Sequence, residues 1–188
     1  MFKKFNSKDD IHSRTNVKSS VQRGLKSKLI EQFPKLDHVI DEIIPKKGQL
    51  VVIKCGANES STDRLSLYAM DNEVLFYQQF DDPFVPSLRL VHKFPEYFPS
   101  VKVDRGAIKF ILSGANIMCP GLTSKGAALP DENFPAGTVV AIFAEGKETA
   151  LAVGKLTMDT DEIKKVNKGM GIEVGTYLGD GLWSLELE

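Results

Sequence analysis

The segment that most constrains the fold of this chain spans residues 103–124, VDRGAIKFILSGANIMCPGLTS, and combines closely spaced glycines with a short apolar run. Its glycines, at positions 106, 114 and 121, allow sharp turns or the close approach of a partner, because they carry no Cβ atom. Residues 107–112, between the first two glycines, are apolar except for Lys109. A run this short is compatible with a helical turn or with a buried strand, since hydrophobic periodicity does not separate the two. The segment therefore predicts a compact, turn-rich element whose secondary structure stays open.

Residues 19–33 predict an amphipathic helix, because their apolar side chains recur at helical spacing. The stripe is formed by Val21, Leu25, Leu29, Ile30 and Phe33. The helix should end before Pro34, since the residue that precedes a proline is driven out of the α region. A second short helix is predicted over residues 36–44, which end at Pro45 and a Lys-Lys-Gly turn.

Three strands are predicted next, over residues 49–55, 64–70 and 73–79, which are rich in β-branched, aromatic and leucine residues. Asp71 and Asn72 suit a tight hairpin between the last two strands. The polar residues 56–63 are expected to form a mobile loop. One or two helical turns are expected over residues 87–94, which are flanked by prolines on both sides. A domain boundary is placed near Pro99, where this irregular region ends.

The remaining chain is predicted to be rich in strands. A short helix is expected over residues 161–168, with Thr160 or Asp159 able to cap its first turn. Residues 171–178 and 179–183 are expected to be closing strands of a barrel around a turn. The glycine-rich stretch 169–175 differs from a dinucleotide-binding loop in its spacing and follows a predicted helix, so a turn between two barrel strands is the preferred interpretation.

The amino-terminal segment is basic, although the whole chain has a formal net charge of only −1. Its first 30 residues contain eight lysines and arginines against two aspartates. A surface that faces phosphates needs such charge, because cations gain affinity by releasing condensed counterions. The alternative is an ordinary solvated helix face. The residues predicted to form such a phosphate-facing patch are Lys3, Lys4, Arg14, Lys18, Arg23, Lys26 and Lys28.

No catalytic or metal-binding pattern is evident in the sequence. Cys55 and Cys119 lack a CxxC partner and are predicted to be buried free thiols. The three histidines stand in different predicted elements, without an arrangement typical of a triad. No catalytic residue, metal site or cofactor is therefore expected. No apolar run approaches the length that spans a bilayer, and the start lacks a hydrophobic signal region, so a cytoplasmic protein without membrane contact is predicted.

The glycine-rich segment resembles the core of PUA domains, the small RNA-binding barrels of pseudouridine synthases and archaeosine transglycosylases. The resemblance rests on Asp104-x-Gly106-Ala107, Ser113-Gly114-Ala115-Asn116 and Pro120-Gly121. Residues 137–143 and 150–156 resemble the paired strands near the end of such a domain. The resemblance implies an α+β fold, in which an amino-terminal α/β domain with a small antiparallel sheet (residues 1–99) precedes a PUA-type β-barrel (residues 100–186).

Blocks along nearly the whole chain are similar to one family, the malignant-T-cell-amplified-sequence proteins, called translation machinery-associated proteins in fungi. These blocks are MFKKF, IEQFP, IMCPGLTS, AEGK, VNKGMGIE and DGLW. The resemblance implies a non-enzymatic translation factor that binds the small (40S) ribosomal subunit together with density-regulated protein. It further implies release of deacylated tRNA after termination, 40S recycling and reinitiation.

The resemblance also implies an RNA-binding surface on the PUA domain, which would meet the acceptor end of tRNA while the basic amino-terminal face holds ribosomal RNA. The predicted residues are Lys109, Ser113, Gly114, Ala115, Asn116, Pro120, Gly121 and Lys125. Glycine permits close approach, asparagine can hold polar edges and lysines meet phosphates. One alternative is that these residues only shape turns. Another is a scaffold that recruits its partner to the ribosome without binding RNA itself.

Overall fold

The computed structural model describes residues 1–56 and 64–188 and contains two five-stranded sheets. The loop expected over residues 56–63 lies, apart from Gly56, outside the described residues. The mixture of helices with mainly antiparallel sheets confirms the predicted α+β class.

The first sheet is antiparallel and has the strand order β1-β2-β3-β4-β5. Its strands are β1 (Ile11–Asn16), β2 (Val51–Cys55), β3 (Leu65–Met70), β4 (Glu73–Gln79) and β5 (Val85–Pro86). The helices of this half are α1 (Ser7–Asp10), α2 (Ser19–Gln32), α3 (Ile40–Ile43) and α4 (Leu88–Lys93). Two 3₁₀ helices, Pro34–His38 and Pro95–Tyr97, follow α2 and α4. The short edge strand β1 was not anticipated, since its residues are nearly all polar and show no apolar alternation.

Helix α2 confirms the amphipathic helix, but its buried face differs from the predicted stripe at one position. Val21 is 58% exposed, whereas Gln22 is buried beside Leu25 and Leu29. The Gln22 amide donates from Nε2 to the Gly48 carbonyl at 3.2 Å and accepts from the Leu50 N–H at 3.4 Å. A polar side chain can replace an apolar one there because these bonds satisfy its amide. Gln22 thereby attaches the turn before β2 to the start of α2.

The hairpin between β3 and β4 turns at the predicted dipeptide. Asp71 and Asn72 both have positive φ, 51° and 60°. These are the left-handed conformations of a type I′ turn, which asparagine and aspartate tolerate. The predicted helix over residues 36–44 is instead a 3₁₀ helix followed by the single turn α3.

The second sheet is mixed and has the order β6-β8-β9-β10-β7. Its strands are β6 (Ser100–Val103), β7 (Ile117–Met118), β8 (Val139–Ala144), β9 (Ala152–Leu156) and β10 (Met170–Tyr177). Its helical elements are the 3₁₀ helix Arg105–Ala107, α5 (Ile108–Ile111), α6 (Pro120–Thr123) and α7 (Thr160–Val166). Strands β6 and β8 pair in parallel, and the other pairs are antiparallel.

Two expectations for this half are wrong. Residues 179–183 form turns that follow β10 and not a closing strand, because the Asp180 carboxylate caps them by accepting from the backbone N–H groups of Tyr177 and Trp183. Gly169 makes its turn between α7 and β10 and not between two strands. The cap of α7 is Asp159, which accepts from the Glu162 N–H at 2.7 Å.

Both chain ends pack against the first sheet and its helices. Phe2 is fully buried, and its carbonyl accepts from the Gly181 N–H at 3.0 Å. Trp183 lies under the guanidinium of Arg89, 3.9 Å from the ring centroid, and Arg89 also donates to the Trp183 carbonyl at 2.9 Å. One buried cluster joins side chains of α2 and α4 to Val139 and other residues of β8 and β9. One buried cluster therefore spans both halves of the chain.

Candidate nucleic-acid interface

The glycine-rich segment is closed at its base by the carboxylate of Asp104. Its Oδ1 accepts from the Ala107 N–H at 3.1 Å, and its Oδ2 accepts from the Ser124 hydroxyl at 2.6 Å. A carboxylate that caps the first turn satisfies a backbone N–H which the helix leaves unpaired. Asp104 is therefore a turn residue, and it holds both ends of the segment together.

Residues 107–112, which the sequence left open, are helical, and the turn that follows them is tied to Phe110. The hydroxyl of Ser113 donates to the Phe110 carbonyl at 2.7 Å, and the Ala115 N–H donates to the same carbonyl at 3.0 Å. Gly114 has φ +92°, which a residue with a Cβ would adopt only with strain. The turn of residues 113–115 is therefore exposed and is held in one conformation by these hydrogen bonds.

The side chain of Asn116 makes a hydrogen bond within the protein. Its Oδ1 accepts from the Val174 N–H of β10 at 3.0 Å. This bond connects the exposed turn to the second sheet and uses one of the two lone pairs of the side-chain oxygen that the sequence had assigned to an RNA edge. Asn116 thus positions the turn.

The other predicted residues extend the same surface. Gly106 and Gly121 lie within helical turns without positive φ, so neither position needs glycine for its backbone conformation. Pro120 begins α6 and is exposed, and Lys125 is exposed in the loop that follows. The Asp104 N–H donates to the Gly121 carbonyl at 3.3 Å, which brings α6 beside the start of the segment.

Phe110 is the residue that the sequence interpretation missed. Its side chain is 57% exposed, and the ammonium of Lys109 lies 5.1 Å from its ring centroid. Met118 on β7 and Met170 on β10 are directly opposite each other and are also exposed. An exposed aromatic ring beside a cation can stack on an unpaired base while the cation meets phosphate. The sequence did contain a signal for this site, the adjacent Lys109 and Phe110. It was overlooked because Phe110 was counted as one residue of the apolar run 107–112.

Lys3 belongs to this surface and not to the amino-terminal basic face. Its Nζ donates to the Ser113 carbonyl at 3.1 Å, and its side chain passes beside Gly114. The chain start is held near the glycine turn by Phe2, which is buried in a cluster with residues of the first sheet and Leu182. Lys3 therefore adds a positive charge to the surface of the glycine-rich segment.

The predicted basic patch is only partly assembled on α2. Lys18, Arg23 and Lys28 are exposed there. Lys26 is a correction, because its ammonium is bound to the Asp41 carboxylate at 2.9 Å and its side chain is only 12% exposed. This hydrogen bond and charge from Lys26 lower the pKa of Asp41 below its ordinary value. Lys26 thus stabilises the contact of α2 with α3 rather than facing phosphate.

The other two predicted basic residues lie elsewhere. Lys4 lines a cleft between the sheets, and Arg14 on β1 donates from Nη1 to the Glu188 carbonyl at 3.0 Å. The sequence interpretation missed Lys46 and Lys47, which are exposed in the turn that Gln22 holds against α2. We define the α2 basic face as Lys18, Arg23, Lys28, Lys46 and Lys47.

Both thiols are buried, and the His92 ring is held by contacts within the fold. Burial and the negative charge of Asp10 raise the pKa of the Cys55 thiol to about 12, and burial also raises the pKa of Cys119. The His92 ring is bonded from Nε2 to the Ala150 carbonyl at 2.7 Å and stacks edge-on against Trp183. Within residues 1–56 and 64–188, no group of three metal-ligating side chains is gathered, and no helix is long and apolar enough to cross a membrane.

Comparison with known proteins matches both halves of the chain to described domains. Residues 5–95 match the Pre-PUA-like domain model, and residues 99–178 match the PUA domain model. Translation machinery-associated protein 20 of Saccharomyces cerevisiae is 59% identical over 189 residues, covering 100% of both chains. The chain belongs to the translation machinery-associated protein 20 family. Malignant T-cell-amplified sequence 2 of Homo sapiens is 47% identical over 188 residues, covering 99% of this chain and 98% of the relative.

The arrangement of the two halves in this translation machinery-associated protein 20 family member is shared with archaeal structures. A hypothetical protein of Pyrococcus horikoshii has a TM-score of 0.70 at 20% identity, covering 92% of this chain and 98% of that chain. A PUA domain protein of Thermoplasma acidophilum has a TM-score of 0.64 at 21% identity, with the same two coverages. At these identities the likeness establishes the fold alone.

Proposed function

We propose that this chain is a non-enzymatic, cytoplasmic translation factor that binds the 40S ribosomal subunit. It acts with a density-regulated-protein homologue as a heterodimer, promotes release of deacylated tRNA after termination and supports 40S recycling and reinitiation. The translation-associated names of its relatives and the PUA model support this role. The observation that carries the RNA contact is the exposed Phe110 ring beside Lys109 on α5, next to the fixed turn at Gly114.

The two surfaces divide the binding in this proposal. The α2 basic face holds ribosomal RNA through its phosphates, since its lysines and Arg23 offer charge without a planar platform. The glycine-rich segment meets the acceptor end of tRNA, where Phe110 stacks on an unpaired base and Lys3, Lys109 and Lys125 meet phosphates. The high pKa of both thiols supports a role in binding rather than in nucleophilic chemistry, because the thiolate is the nucleophile.

A salt titration of 40S binding tests the α2 basic face. Lys28→Gln removes an exposed charge, whereas Lys26→Gln removes a charge already bound to Asp41, so the two variants form a matched pair on one helix. Each lost phosphate contact should reduce the slope of log K against log salt by about 0.7 to 0.9. Combined replacement of Lys18, Arg23 and Lys28 with glutamine should therefore reduce it by about 2 to 3.

Fluorescence anisotropy with purified 40S subunits, between about 50 and 200 mM salt, measures this slope. We expect Lys26→Gln to retain the wild-type slope and Lys28→Gln to flatten it. Equal slopes for the wild type and the triple variant would refute the assignment of the α2 basic face to ribosomal RNA.

A protein scaffold is the second candidate. This candidate is favoured because two groups that were expected to meet RNA make hydrogen bonds within the protein. These groups are the side-chain oxygen of Asn116 and the ammonium of Lys3. Measuring 40S binding with and without the density-regulated-protein homologue separates the two functions. Binding by the chain alone supports the RNA-binding factor, and binding only in the presence of the partner supports the scaffold.

A further inference from the structure

A cleft of about 530 Å³ lies between the two sheets, and none of the residues assigned to the two proposed RNA surfaces lines it. Residues of the chain start, of β2 to β4 and of the turn before β5 form one side, and residues of β8, β9 and β10 form the other. Its volume lies within the range of about 300 to 1,000 Å³ that is typical of ligand clefts. Both apolar and charged side chains line it.

Tyr77 places an unused hydroxyl in the wall of this cleft. The residue is only 2% exposed, and its ring packs edge-on against Phe2 with centroids 4.9 Å apart. Its Oη has no hydrogen-bond partner in the part of the chain that the structure describes. Burial, with the carboxylates of Asp180 and Glu173, raises the pKa of Tyr77 far above its ordinary value. The hydroxyl therefore keeps its proton and, because Tyr77 lines the cleft, can donate to an occupant of the cleft.

The floor beside Tyr77 is bare backbone. The pairing of β9 with β10 shifts register between Val174 and Thr176, which leaves Gly175 as the extra residue of a bulge. A Cβ atom at Gly175 would collide with the Tyr77 hydroxyl. A bulge leaves its extra residue outside the ladder, so the sheet presents peptide groups at this point. Bulge and hydroxyl together offer hydrogen bonds suited to an extended peptide.

The charges of the cleft disfavour nucleic acid. Its lining contains the carboxylates of Asp10, Asp82 and Glu173 against the ammonium groups of Lys4 and Lys155. Phosphates would meet repulsion from these carboxylates, in contrast to the uniformly positive α2 basic face. A protein segment that carries basic side chains next to an apolar side chain fits this lining of carboxylates and apolar groups better.

We propose that this cleft docks an extended segment of the density-regulated-protein homologue. An apolar side chain of that segment fills the cleft, a backbone group hydrogen-bonds to Tyr77, and basic side chains lie beside Glu173 and Asp82. The identity of the partner rests on the proposed function, whereas the chemistry of the occupant rests on the cleft itself.

Calorimetric titration of this chain with the purified full-length homologue tests the docking site. Tyr77→Phe removes only the hydroxyl, and we expect the Kd to rise about 3- to 10-fold, the effect of one hydrogen bond. Tyr68→Phe is its control, because Tyr68 packs against the other core cluster on the opposite face of the same sheet. Glu173→Lys should raise the Kd by more than about tenfold. Glu132→Lys makes the same charge change on an exposed residue outside the cleft.

The outcomes separate this inference from the proposed function. If the homologue binds the wild type, Tyr77→Phe and Glu173→Lys with equal Kd, the docking site is wrong while the heterodimer stands. If it does not bind the wild type, the heterodimer fails and the docking site fails with it. Binding of 40S subunits by each variant alone is measured in parallel. A loss there, with the partner affinity unchanged, would identify the cleft as an RNA site and overturn the proposal.

Discussion

Phe2 and Phe110 carry the same side chain in opposite surroundings, so replacing each with alanine tests the structural assignments directly. Phe2 is 0% exposed, and its ring packs edge-on against Phe5 and Tyr77, with centroids 5.6 and 4.9 Å away. Phe110 is 57% exposed on the glycine-rich segment. We expect Phe2→Ala to lower stability and Phe110→Ala to lower RNA affinity.

The magnitudes follow from burial. Removing a buried phenylalanine ring costs about 3 to 5 kcal/mol, because the transfer free energy is lost and a cavity remains. For a chain of this length, each kcal/mol shifts Tm by about 2 to 4 °C, so Phe2→Ala should lower Tm by roughly 6 to 20 °C. Phe110→Ala should change the free energy of unfolding by about 0.5 kcal/mol or less, as an exposed substitution. Losing one base stack should cost it about 1 to 3 kcal/mol of RNA affinity.

Urea and thermal unfolding, followed by circular dichroism, measure the first effect, and mass spectrometry verifies that Met1 is retained in the Phe2 variant. Anisotropy with a single-stranded oligonucleotide ending in CCA measures the second. A loss below about 1 kcal/mol for Phe2→Ala would show that the chain start detaches without disturbing the core. Equal RNA affinity of Phe110→Ala and the wild type would refute the stacking role.

Three further outcomes are expected. Gln22→Leu leaves buried backbone groups near β2 without partners and should cost about 1 to 3 kcal/mol in urea unfolding. The pKa of Asp41 is lowered by Lys26, so the Asp41–Lys26 pair stabilises the fold at pH values above the ordinary carboxyl pKa of 3.8. This stabilisation is lost as the pH falls through the lowered pKa. The difference in Tm between the wild type and Asp41→Asn should therefore shrink in acid. Cys55 and Cys119 should react slowly with iodoacetamide in the native chain and rapidly in concentrated urea, because a pKa of about 12 lowers the thiolate population of Cys55 roughly a thousandfold.

Local chemistry made much of the fold predictable. The helix over residues 19–33, the hairpin at Asp71 and Asn72 and the cap at Asp159 follow from periodicity, left-handed propensity and side-chain capping, which act within a few residues. Strand β1 escaped prediction because it pairs at an edge and buries little. The glycine-rich segment was identified from its residues, but its helical form was not, since its apolar run is too short for a period.

The sequence by itself determined the family and the α+β class, and it predicted a two-part organisation and the residues that a PUA-type surface would use. The tertiary structure decided which of those residues remain available. It paired Lys26 with Asp41, bonded the Asn116 carbonyl to β10, exposed Phe110 and brought Lys3 to the glycine turn. The physical reason is range: propensities and caps depend on neighbours along the chain, whereas burial, ion pairing and clefts depend on residues that only folding brings together.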